Sequence, residues 1–562
     1  MACLGWTGDS GFAQSTQTWT NAAGRSISAT FVELQQGLVK VRLAGGKIHA
    51  IQLEDLSWES AQQAIQLKWK PGGTADLRLE TPDKVGLSAV EVKRLGDNDV
   101  GRNPLAPGWI RYRTPHFEFD SELELTPAFL KRAGLAFEST RLLLQELPWR
   151  IEGKPLKGSL FLAKIYKSDE SYFKAGGPVG SAGVFRPSTG EFSLPWQGEG
   201  KNLDTMQHEI THQMMQRILP VMPWWIAEGT AEYISIMKYQ NGYFACNVVS
   251  KRQVTPELEK CAQIVNARGG AANPFESAMT YRGETNAEAV MDEYLADIER
   301  RLKAIEEHFK LQITHLKEQL APMEEKRDMF AKMLALEAGK SCVVNPTTTK
   351  KTREVAAIQG VKTIEHRMDN TVRPLGPSTD GLEMDQRYRA STLLVYHLTT
   401  LSPDKGEAFA RYMWGLQQLR DEYDFSIKLL EKDRENFSKD VDRLNPLLEE
   451  MGVKAEAYAQ KLNTFLRNAA FYTEEQGRFT QLTTTGQTEF THLPGGSIKM
   501  PVPPPVLDLK LPSLPSAPVA RLTSGQLRTR RDQLFSQLTN GYGFEGLVQG
   551  ARVSFAKRGI KF

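Results

Sequence analysis

Leu295, Ile298, Leu302, Ile305, Phe309, Ile313, Leu316, Leu320 and Met323 recur in steps of mostly three and four, with one stutter from Phe309 to Ile313. Such a seam is buried only when the whole stretch is one helix lying against another, because a spacing near 3.5 keeps a single stripe turned to a partner. The pattern predicts a coiled-coil insertion over 286–345. A charge-rich helical stretch at about 405–470 supplies the partner, expected to return antiparallel as a protruding pair. His308 and His315 flank the seam and read as solvated.

A helix of that length does not fit inside one ordinary core, and 562 residues at roughly 150 per domain predict three or four modules. Charged residues make up 24% and hydrophobic residues 40%, which excludes wholesale disorder. Lys+Arg 70 against Asp+Glu 67 leaves +3, too little for the concentrated basic face that nucleic acid requires, so no nucleic-acid partner is expected. No run approaches the roughly 18 apolar residues of a membrane span, so no transmembrane segment is expected. Residues 1–14 read as a signal-peptide remnant or a disordered start. Gly11-Phe12-Ala13 before Gln14 looks like the end of a cleavage site, which implies export to the periplasm or the exterior; the alternative is a cytoplasmic protein. Cys3, Cys246, Cys261 and Cys342 have no CxxC spacing, and a Cys246–Cys261 bridge is open after export.

The fold class predicted is α+β and multidomain. Residues 15–70 alternate short β-rich runs with glycine turns, as in a small antiparallel β-barrel. The segment 108–285 is mixed α and β, with a strand HFEFD, a helix near 127–147, a strand SLFLAKIY and a hairpin GVFRPSTGEFSLP. It is expected to form one core domain. Residues 380–475 are expected to be helical, 494–520 a proline-rich linker or strap, and 521–562 a helical C-terminal segment. That strap could also lie in a cleft as an inhibitor. Arg528, Arg530 and Arg531 read as a solvated basic face.

The chemistry lies in Asp204 to Tyr233, DTMQHEITHQMMQRILPVMPWWIAEGTAEY, which contains His208-Glu209-Ile210-Thr211-His212. Histidines four apart on a helix share a face, so His208 and His212 can offer two imidazole nitrogens to one metal ion while Glu209 lies beside it. With 9 histidines in the chain, a chance HExxH has a probability on the order of 0.01. Asp204 with Gln207 reads as a capping-box start, and Pro220 and Pro223 as the stop. A catalytic zinc wants three protein ligands and an open position, and Glu228, on a second helix begun by Pro223, is the third candidate. Trp224 and Trp225 read as packing residues, and His116 and His397 as core or boundary histidines. Asn273-Pro274-Phe275 matches a tripeptide that small adaptor barrels read, but no Asp follows within two residues, so the match reads as coincidence.

Two resemblances follow from these residues. The placing of Trp19-Thr20, Gly24-Arg25, Ala29, Phe31-Val32, Gly37, Val39, Gly46-Lys47 and Leu53 through Leu56-Ser57 resembles the first homology domain of the yeast Sla adaptors, which implies a Src-homology-three-like barrel. HExxH with a downstream WxxEGxAEY resembles the gluzincin metallopeptidases, above all the bacterial peptidase-MA-like group. That resemblance implies zinc bound by His208, His212 and Glu228, with Glu209 as general base. It also implies Glu232 orienting a ligand histidine through its second ring nitrogen, and an extended substrate on an edge strand, here Glu191 to Leu194. A tyrosine stabilising the oxyanion is implied as well, with Tyr388 preferred to Tyr396 and Tyr281. The Gly-x-Met-Glu-Asn segment of the related aminopeptidases is missing, which points to an endopeptidase acting on protein or peptide substrates. The barrel and coiled coil are candidate surfaces for a protein partner. The alternative function is a non-catalytic scaffold or peptide-binding protein that keeps a metallopeptidase fold.

Overall fold

The computed structural model describes residues 16–69, 79–96, 105–237, 239–246, 251–281, 287–337, 343–344, 381–404, 406–468, 470–475, 478–483, 486–490 and 502–562. The start at 1–14, Cys3, Cys342 and residues 494–501 lie outside them. The architecture is mixed α+β, in two compact units: Met1–Asp292 with Val372–Leu429 and Arg521–Phe562, and Glu293–Thr371 with Leu430–Ala520. Among the described residues no helix is long and apolar enough to cross a membrane.

The first unit opens with four antiparallel strands in sequential order: β1 (Gln17–Thr20), β2 (Ser26–Gln35), β3 (Leu38–Arg42) and β4 (Ile48–Gln52). A bulge between Phe31 and Glu33 puts Phe31 and Leu34 on the same buried face. Gln36 and Gly37 both take positive φ, the backbone a two-residue hairpin needs. A single bridge, Asn21 to Leu56, leads back towards β1. Ser57 then caps α1 (Trp58–Lys68), so the chain turns helical before a fifth strand forms. The small barrel expected over 15–70 is therefore an open four-stranded sheet carrying a helix.

Next come β5 (Lys84–Gly86), β6 (Lys93–Leu95), β7 (Ile110–Arg113), β8 (Phe117–Ser121), α2 (Pro127–Glu146), β9 (Phe161–Tyr166), α3 (Asp169–Lys174), β10 (Val184–Arg186), β11 (Glu191–Pro195) and α4 (Glu199–Met215). Six of these strands form one sheet in the order β10-β11-β9-β8-β7-β6, parallel between β8, β9 and β11. Alternation sorts its faces. Phe117, Phe119, Phe161, Ile165, Phe192 and Leu194 enter the core with residues of α2 and α4. The other face pairs Arg111 with Asp120 at 2.7 Å and Lys164 with Glu191 at 3.0 Å, cross-strand contacts worth about 0.2–1 kcal/mol each. Then follow α5 (Trp224–Ile236), β12 (Tyr239–Gln240), β13 (Tyr243–Ala245), α6 (Lys251–Val265), α7 (Pro274–Thr280), α8 (Ala287–Glu337), β14 (Val343–Val344) and α9 (Gly381–Tyr396). Cys246 and Cys261 are buried free thiols, not a bridge. Asn273 caps α7 and Phe275 is buried, so that tripeptide is a helix start.

The remaining elements are α10 (Glu407–Asp442), α11 (Leu444–Asn468), β15 (Ala470–Glu475), β16 (Arg478–Thr483), β17 (Gly486–Phe490), α12 (Ser524–Leu538) and α13 (Gly543–Ala556). Arg531 pairs with buried Glu288 at 2.6 Å and Arg530 with fully buried Glu422. These arginines neutralise buried acids, and the solvated face expected of them is corrected for that reason.

In the second unit, the seam of α8 is buried at Ile298, Ile305, Phe309, Leu316, Leu320 and Met323. Ile305 and Phe309 cluster with Phe437, Val441, Leu444 and Leu448, and Ile313 to Met323 cluster with Ala455, Tyr458 and Leu462. Phe330 meets Phe465. Both helical stretches ascend together, so the pair is parallel and not antiparallel as expected. Leu507, Leu509 and Leu514 of the proline-rich strap pack into these clusters, and Arg327 donates to the Pro504 carbonyl at 3.4 Å. The described part of the strap is thus a third, extended layer on the helices. His315 bonds Gln319 at 3.0 Å, and both His308 and His315 are half-buried. The helical stretch expected to reach 475 ends at Asn468; Ala470–Glu475 is a strand of the sheet β14-β15-β16-β17.

His397 begins a π turn, His397–Leu401, at the end of α9. Its ring is buried, its Nδ1 has no hydrogen-bond partner among the described residues, and a Cβ at Gly550 of α13 would lie 3.3 Å from Nε2. Burial pushes its pKa below 6.5, against the pull of Asp404. The unfolded chain therefore binds this proton more readily, so the stability is whole above about pH 6.5 and is lost as the pH falls towards the folded pKa. The urea midpoint of the wild type is expected to fall more steeply between about pH 7 and pH 5 than that of His397→Gln; equal slopes would refute the assignment.

Candidate metal centre

Helix α4 starts earlier than the sequence suggests. Gly198, at φ 97°, is its N-cap, and Asn202 reaches back to accept from the Gln197 N–H at 2.9 Å and donate to the Pro195 carbonyl at 2.8 Å. Asp204 therefore lies inside the helix, not at its cap. The apolar face of α4, Met206, Ile210 and Met214, enters the core. Gln213 fixes its rotation by donating to the carbonyls of Leu162 at 2.9 Å and Gly190 at 2.7 Å. His208 and His212 consequently turn towards α5, and Glu209 towards Phe185 of β10.

Helix α5 starts at Pro223 as N-cap and carries Glu228 and Glu232 one turn apart. Gly229, between them, lets α9 approach: a Cβ there would sit 2.6 Å from the Ser391 carbonyl oxygen. Any larger residue would separate these helices. α9 in turn brings Tyr388 and Arg389 towards the acidic side of α5.

The resulting donor set is close. His212 Nε2 lies 3.0 Å from His208 Nε2 and 3.1 Å from Glu228 Oε2, and His208 Nε2 lies 3.4 Å from the same oxygen. Ligands roughly 2.1 Å from a four-coordinate zinc are roughly 3.4 Å apart, so one small cation fits these three atoms with little adjustment. Among the described residues this is the one group of three such side chains gathered within 4.8 Å. Glu232 Oε1 lies 3.5 Å from His208 Nδ1, the ring nitrogen turned away from the other donors, and its Oε2 accepts from Arg389 at 2.9 Å.

Electrostatics follow the same geometry. Burial opposes a charge on His208, but the hydrogen bond to Glu228 and the charges of Glu232 and Glu209 outweigh it and raise the pKa to about 9. Burial likewise opposes ionised Glu228, yet His212 and His208 bring it down to about 2. Proton and metal compete for these donors. Glu209 is buried, which raises its pKa against the pull of His208 and His212, and it accepts a hydrogen bond from the Phe185 backbone. Gly183 leaves room for it, since a Cβ there would stand 3.1 Å from Glu209 Oε1.

The charge of Glu228, followed by burial and the charges of Glu209 and Glu232, holds the Tyr388 phenol well above 10. Of the other two tyrosines considered, Tyr281 packs on Trp224 at 5.0 Å beneath the Arg387 guanidinium, while Tyr396 is buried against Tyr233 and Phe555. Trp224 lies between Tyr281 and Tyr388; Trp225 is core. His116, about half-exposed, pairs with buried Glu138 at 2.8 Å.

The strand beside the helix is not the one expected. β11, containing Glu191 to Leu194, is flanked by β10 and β9, so the outer strand is β10. Sequence order hid this, because β10 precedes β11 but lies outside it. Arg389 and Phe185 carry no signal of their own in the sequence, although Arg389 adjoins the candidate Tyr388. No family model, curated protein or solved structure matches the chain.

Proposed function

We propose that the chain is a zinc-dependent endopeptidase with a gluzincin-like catalytic core, acting on protein or peptide substrates. The observation that carries this reading is the spacing of His208 Nε2, His212 Nε2 and Glu228 Oε2, three corners of a coordination tetrahedron with Glu209 alongside. A zinc ion in that position would supply Lewis acidity to a carbonyl and lower the pKa of bound water.

The chain's own residues supply the rest. Glu209, held by the Phe185 N–H, is suited to take a proton from the attacking water and deliver it to the leaving amine. Tyr388 is the hydroxyl donor for the developing oxyanion. β10 has an outer edge and reaches Glu209 through Phe185, so an extended peptide pairing with that edge would run past the base. The four-stranded sheet and the parallel helices are the surfaces offered to a protein partner.

Purified wild type should hold near one zinc per chain and His212→Ala little. Glu209→Gln should keep the metal yet lose cleavage of a peptide library by roughly 10²- to 10⁴-fold. Wild type that takes up no zinc, or that cleaves no peptide, would favour the scaffold, whereas Glu209→Gln with full activity would remove Glu209 as the base. Tyr388→Phe should lower kcat by roughly 10²-fold with KM little changed. An unchanged kcat would remove Tyr388 from the chemistry.

A further inference from the structure

Glu232 has two oxygens and two different neighbours. Its Oε1 faces His208 Nδ1 at 3.5 Å, and its Oε2 accepts from Arg389 Nη1 at 2.9 Å. The guanidinium is fixed from its other side as well: Arg389 Nε donates to Asp385 Oδ1 at 3.2 Å, one turn back on α9, and the Cys261 thiol of α6 lies beside it. An arginine held by two carboxylates has few ways to point, because its fork of donors is planar and rigid.

We propose that Arg389 is a positioning residue for the metal centre: it clamps one oxygen of Glu232 so that the other takes the Nδ1 proton of His208. Once a metal displaces the proton that His208 Nε2 shares with Glu228, the Nε2 lone pair is directed into the space between His212 and Glu228. The proposal rests on the reading of those three side chains as zinc ligands. Without Arg389, the Glu232 side chain, which is partly exposed, could swing to solvent and leave His208 free to choose its tautomer and its tilt.

The test is zinc affinity of the full-length chain, read by competition with a chromophoric chelator and therefore independent of turnover. Arg389→Gln is expected to weaken zinc binding by roughly 10-fold, the lower end of what loss of an outer partner costs a metal site. Arg389→Lys, which keeps the charge, should recover part of that loss. Glu232→Gln combined with Arg389→Gln should bind as Glu232→Gln alone does, because the arginine acts through that carboxylate. Losses that simply add, or an Arg389→Gln affinity within two-fold of wild type, would overturn the proposal. Should Arg389→Gln not fold, Arg389→Lys in the Glu232→Gln background decides by the same criterion. A wild type that binds no zinc would instead overturn the metal-site reading itself, and with it this proposal.

Discussion

Everything about the centre depends on keeping the Glu228 carboxylate ionised where water hardly reaches it. A buried charge is tolerated only when partners replace its hydration, and two imidazoles at 3.1 and 3.4 Å do so here. That demand fixes how α4 and α5 approach each other. Gln213 locks the rotation of one helix by bonding to the Leu162 carbonyl of β9, and Gly229 lets the other close on α9. Glu209 comes from α4 itself, and Glu232, Tyr388 and Arg389 come from the two helices brought together at that glycine.

The same solution recurs away from the centre. Glu138 is almost fully buried and takes hydrogen bonds from Thr114 at 2.7 Å, the His116 N–H at 2.9 Å and the Arg141 guanidinium. Asp421 receives Lys68 at 2.9 Å, the Trp69 indole at 2.8 Å and Arg217 just beyond α4, so one carboxylate ties α1, α4 and α10 together. Burial alone would raise the Asp421 pKa, yet Lys68 and Arg217 hold it below the ordinary value. In each case several donors share one buried charge, and stripping them would leave it unmatched, which costs more than the pairing contributes.

Features that depend on near neighbours in the chain were legible in the sequence. The i to i+4 spacing of His208 and His212 and the buried seam from Ile298 to Met323 follow from period alone. Partners and directions were not. Periodicity says which face of 405–470 is buried but not which way it runs, and the pair proved parallel. Strand order is equally remote: β10 took the edge expected of Glu191 to Leu194. Arg530 and Arg531 looked solvated because Glu422 and Glu288 are more than a hundred positions away. Asp204 resembled a cap, but positive φ at Gly198 started the helix earlier.

The most direct test of the central claim is X-ray absorption at the zinc edge of the purified, zinc-loaded chain. The account predicts a sulfur-free first shell at roughly 2.0–2.1 Å with the multiple-scattering signature of two imidazoles and the remainder oxygen. A shell containing sulfur near roughly 2.3 Å, or one with no imidazole signature, would place the metal elsewhere and contradict the assignment of His208, His212 and Glu228.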